Sequence, residues 1–129
     1  MKSVYVENFT PDLNNLTMVW NETVQNDDMI QAFDYLQLVL DTADTPQDVV
    51  VVLNRHVNFP ISSTILNALP VHKHPNLKSW LVIGGRNSLA QVIANVLSTM
   101  SKQDKVQWFK SKDEVEQYLL QQENLFVVA

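Results

Sequence analysis

Hydrophobic and polar positions alternate from Ser3 to Glu7, with Val4 and Val6 on one side and Tyr5 on the other, which predicts a short strand. Leu16, Met18 and Trp20 alternate with Thr17, Val19 and Asn21 and predict a second strand over Leu16 to Val24. Between them Asn8 to Asn15 holds Pro11, Asp12 and two adjacent Asn, a turn signal, so the pair is expected to form an antiparallel hairpin. Met29, Ile30, Phe33, Leu36, Leu40 and Ala43 then fall at helical spacing. Asn26-Asp27-Asp28 begins that stretch with side chains suited to free N–H groups and to the positive end of a helix dipole. Tyr35, Leu38 and Val39 widen its apolar stripe beyond half the circumference. Such a helix packs on more than one side or presents one flank, here Tyr35 and Leu38, to a ligand or partner.

Val49-Val50-Val51-Val52-Leu53 is a β-branched run without alternation, the pattern of a parallel strand buried on both faces. Leu77 to Ile83, with Trp80-Leu81-Val82-Ile83, repeats it, and Lys105 to Phe109 predicts a last strand. Between these strands lie two predicted helices. One runs through Ile65, Leu66 and Leu69, with Ser62 or Ser63 as its cap and Pro70 stopping or bending it. The other is capped by Asn87 or Ser88 and carries the stripe Leu89, Val92, Ile93, Val96, Leu97 and Met100. Ser111 to Glu114 reads as a capping box opening a final helix through Val115, Tyr118 and Leu119. Residues 124–129 form an apolar tail that can add an edge strand, cover the core or pair with another chain. The order β-β-α-β-α-β-α-β-α predicts one α/β domain over 1–129, with a mainly parallel sheet and an antiparallel N-terminal edge strand.

Composition narrows the function classes. The 129 residues contain no cysteine, which removes disulfides, thiolate metal sites and cysteine nucleophiles. The net charge of −5 argues against general nucleic-acid binding, which needs a basic face. Charge is also segregated. Residues 1–50 carry one Lys against nine acids, residues 51–110 seven bases against one acid, and residues 111–129 one base against four acids. The basic middle leaves room for a local anion site. No signal-peptide core or membrane-spanning run is present, so the chain reads as soluble and cytoplasmic.

Three segments carry candidate chemistry. Ser62, Ser63 and Thr64 lie at a predicted helix start, either as ordinary N-caps or as a phosphoacceptor or anion site. Gly84-Gly85-Arg86-Asn87 follows a buried strand at the expected carboxyl edge of the sheet, where open α/β folds tend to bind ligands. It fits a tight turn or an anion loop and matches neither a P-loop nor a dinucleotide fingerprint. His72 and His74, with His56, are the only imidazoles; they read as a solvent-facing loop, because zinc typically needs three or four defined ligands. Residues 49–74 contain no Asp or Glu, so no carboxylate near Ser62 in sequence orients His56 as a base. No cofactor, metal site or catalytic set is expected.

The element order, together with the stretch Val49 to Ile65, resembles the STAS domain of bacterial anti-sigma-factor antagonists. Val57, Phe59, Ser62 and Ser63 stand where that family has a small apolar residue, an aromatic and the turn serines. Ile61 replaces the family's Asp, Thr64 its Gly, and Leu53 the Asp that ends the strand. The chain looks closer to the divergent SpoIIAA-like branch, related in shape to lipid-carrying Sec14 domains. The resemblance implies a non-enzymatic regulatory domain in which a protein partner, or a second copy, docks near Ser62 and Ser63, with His56 and Phe59 beside them. The alternative is a carrier or sensor of a small apolar or lipid ligand held between the first helix and the sheet, with Phe33, Tyr35 and Leu38 lining the groove.

Overall fold

The computed structural model describes residues 2–10, 13–54, 56–84 and 87–128; side chains of residues 10, 13, 14 and 123–128 lie outside the description. Nine elements follow in the predicted order: β1 (Val4–Thr10), β2 (Leu13–Trp20), α1 (Asn26–Thr42), β3 (Gln47–Leu53), α2 (Ile61–His72), β4 (Leu77–Ile83), α3 (Ser88–Ser101), β5 (Val106–Phe109) and α4 (Lys112–Val128). The five strands form one sheet in the order β1-β2-β3-β4-β5, with β1 antiparallel to β2 and all other pairs parallel.

That order has a mechanical consequence. Each parallel crossover moves one strand further in the same direction, and crossovers of one hand then place every connecting helix on the same face. Accordingly α1, α2 and α3 cover one face, where Trp20, Val51, Trp80 and Val82 meet Phe33, Leu36, Ala68, Ile93 and Leu97. α2 packs between α1 and α3. The other face is covered by α4, through Val115 and Leu119 on Val50 and Leu81. The β1–β2 hairpin brings Phe9 into this second cluster, with Lys112 Nζ 5.3 Å over its ring.

Several local expectations are corrected. The hairpin strands reach Thr10 and restart at Leu13, so the turn is much shorter than Asn8 to Asn15, and β2 ends at Trp20 rather than Val24. α1 begins after Gln25 without a side-chain cap. Asp28 instead accepts from the N–H and hydroxyl of Ser3, at 2.8 and 2.9 Å, and these bonds hold its carboxyl below the usual range. α2 runs through Pro70 to His72. A proline there forfeits only one intrahelical bond, close to the helix end. In α3 the buried positions are Ala90, Ile93 and Leu97, whereas Val92 and Met100 of the expected stripe are exposed. The capping box is half formed: Ser111 Oγ accepts from Glu114 N–H, while Glu114 accepts from Lys110 N–H, one residue too early. Residues 124–128 continue α4 and add no edge strand.

Candidate functional site

The start of α2 differs from its sequence reading. Pro60 stands at the N-cap, no side chain caps the helix, and Ser62 and Ser63 lie within its first turn. Ser62 is exposed and Ser63 half-buried. Thr64 is buried, its hydroxyl donating to Met29 Sδ at 3.3 Å. Phe59 is core rather than contact surface, its ring 5.0 Å from that of Trp20. His56 is exposed, and its backbone N–H is held by Asn54 Oδ1. Among the described residues neither Ser62 nor Ser63 has a side-chain hydrogen bond to a histidine or carboxylate.

The second loop is built for a chain reversal. Gly84 has φ of +114°, and a Cβ there would meet Leu53 Cβ at 3.0 Å. Its carbonyl accepts from Asn87 N–H at 3.2 Å. Asn87 Oδ1 caps α3 by accepting from Ala90 N–H, and its Nδ2 donates to Val57 O. Both ends of that amide are therefore committed. Gly85 and Arg86, like Arg55, lie outside the described residues. The monotonic strand order also contains no reversal, the feature that opens a ligand crevice at the carboxyl edge of doubly wound sheets.

The histidines do not form a solvent-facing pair. His72 is 0% exposed. Trp80 Nε1–H donates to its Nδ1 at 3.1 Å, and its Nε2 meets Gln103 O at 2.9 Å. An indole only donates, so Nδ1 is bare and the proton sits on Nε2. Burial pushes this imidazole's pKa down. His74 points elsewhere, with Nε2 2.7 Å from Asp41 Oδ1 and Nδ1 accepting from Asn76 N–H. Asn76 Nδ2 donates to Leu40 O and Ala43 O, closing the end of α1. The 73–76 segment is thus a clasp on α1. Among the described residues no three His, Asp or Glu side chains gather as a metal site, and no helix is long and apolar enough to cross a membrane.

The apolar groove expected between the first helix and the sheet is displaced. Tyr35 and Leu38 are exposed on the outer flank of α1, at 49% and 60%. A cavity of about 80 Å³ lies instead mainly beneath α2 and α3, with Phe33 its only contribution from α1. Its floor is Met18, Trp20, Val51, Trp80 and Val82 of the sheet, and its roof includes Thr64, Ala68, Ala90 and Ala94. At about 24 cal/mol per Å³, leaving it empty forfeits about 2 kcal/mol. The small roof residues fall at i, i+4 on both helices, a sequence signal that needs the helix pairing to acquire meaning.

Sequence reasoning also missed a surface. α2 and α3 contain no Asp, Glu, Lys or Arg, whereas α1 carries four acids and no base. Leu66 is 74% exposed, and Val92 and Met100 are also exposed. The missing charge over 61–72 and 88–101 was the available signal.

On the far face Asp48 and Thr17 are buried, and Asp48 Oδ1 and Thr17 Oγ1 have no hydrogen-bond partner among the described residues. Burial pushes the Asp48 carboxyl pKa up, against the opposing pull of Lys78 and Ser79. No protein-family model, curated protein or solved structure matches the chain.

Proposed function

We propose that the chain is a non-enzymatic, STAS-like binding domain that works by protein–protein contact through the α2/α3 face, beginning at Ser62 and Ser63. The observation that carries this reading is the pair of adjacent helices without a charged residue, from which Leu66, Val92 and Met100 project into solvent. Depletion of charge with exposed large apolar side chains marks interface cores. The partner that fits is a second copy. A chain of net charge −5 repels itself over its acidic surfaces, and the α2/α3 face brings two copies together without opposing like charges. The element order and the resemblance over Val49 to Ile65 support the STAS-like part of the reading.

Sedimentation equilibrium tests it. The expected result is a reversible dimer whose affinity barely changes with salt, because the contact contains no ion pairs to screen. Leu66→Glu is expected to give monomers with an unchanged far-UV spectrum, since Leu66 contributes little to the core. A wild-type chain that stays monomeric at about 100 μM, a concentration at which even a weak contact of about −6 kcal/mol is populated, refutes the reading.

A further inference from the structure

Protein interiors are packed to crystal-like density and hold few voids larger than a water molecule. Here about 80 Å³ is open beneath α2 and α3, because Thr64, Ala68, Ala90 and Ala94 roof a floor that includes Trp20 and Trp80. The lining is buried except at Ala94, Val106 and Trp108, and Trp108 is 41% exposed. The cavity therefore reaches the surface between α3 and the edge strand β5, with an indole at its rim.

We infer that this cavity is a binding site for a small apolar group that enters beside Trp108. The volume holds about three water-sized groups, which suits a small hydrocarbon-like molecule or the last carbons of an alkyl chain. The lining dictates the chemistry of the inserted part. Its one side-chain oxygen, Thr64 Oγ1, already donates to Met29 Sδ. A hydroxyl or charged group pushed inside would lose its water and gain no equivalent partner. Outside, Lys102 and Lys110 are exposed on either side of Trp108 in sequence, while Lys105 Nζ donates to His74 O and Lys112 Nζ lies over the Phe9 ring on the other face. The site is separate from the α2/α3 docking face and stands independently of dimer formation.

Methyl-detected NMR of the intact protein tests this with two probes, xenon and octanoate. Xenon is expected to shift the methyl signals of Ile93, Leu97 and Val106 and leave those of Val50 and Leu119, on the opposite face, in place. If octanoate shifts the same methyls and the Trp108 indole N–H, the occupant is an alkyl-chain end. If xenon alone does so, it is a small free molecule. Ala94→Leu, which fills the outlet, is expected to abolish both responses; should it fail to fold, Ala68→Val reads the same loss from inside. Absence of shifts with both probes, or shifts that survive in a folded filled variant, overturns the inference.

Discussion

Lowering the pH from 7.5 to 5.5 should weaken this fold through one buried ring. His72 is neutral by construction, because Trp80 Nε1–H already points at its Nδ1 and Gln103 O takes the hydrogen on Nε2. A second proton would set two N–H groups against each other in a site that excludes water. In the unfolded chain the ring titrates near the ordinary imidazole value of about 6.5. The folded pKa lies below that, so the unfolded state takes up the proton first as the pH falls. The stabilisation is complete above about 6.5 and is lost progressively below it. For a ring that stays neutral while folded, the loss between pH 7.5 and 5.5 is about 1.4 kcal/mol, a tenfold change in the unfolding equilibrium. Urea unfolding of the wild type and of His72→Gln at the two pH values isolates it, since the other titrating groups are common to both. The wild type should lose more than the variant, by at most about 1.4 kcal/mol. Equal pH dependence in the two proteins refutes the assignment of a neutral, clamped ring.

Asp48 should behave with the opposite sign. Burial raises its pKa, so the folded state holds the proton more tightly and the carboxylate costs stability as the pH rises above its ordinary range. Asp48→Asn should therefore stabilise the protein by about 1 kcal/mol at pH 7, a gain that shrinks toward pH 4 in urea titrations. Gly84→Ala should cost about 2 kcal/mol, because φ of +114° excludes an ordinary side chain and the new Cβ meets Leu53; a melting temperature within a degree of wild type contradicts it. Asn87→Ala should cost about 1–2 kcal/mol by removing the α3 cap and the bond to Val57 O. Asn87→Ser, which keeps a capping oxygen, should recover part of that loss in thermal unfolding.

The strands at Val49 to Leu53 and Leu77 to Ile83 were legible because an unbroken β-branched run has few other uses. Asn87 was legible as a cap because its oxygen lies the right number of residues before Ala90. Ser62 and Ser63 misled for the complementary reason: two serines after Pro60 fit a cap equally well, and the chain started the helix one residue earlier. His72 looked like loop because its partners, Trp80 and Gln103, approach only after β4 and α3 are in place. The cavity was illegible on the same ground. Thr64, Ala68, Ala90 and Ala94 are unremarkable along the chain and leave space only when α2 and α3 lie together over the tryptophans.

The hairpin residue Phe9 sharing a cluster with Val115 and Leu119 has a consequence for biosynthesis. The sheet and its first three helices can assemble in the order they leave the ribosome, because neighbouring strands are also successive ones. Val50 and Leu81, however, stay uncovered until α4 emerges. A nascent chain stalled before Lys112 carries a nearly finished domain with one greasy side open, attractive to chaperones and to other nascent chains. α4 therefore acts as a seal, and the first hairpin cannot complete its packing until α4 has been made.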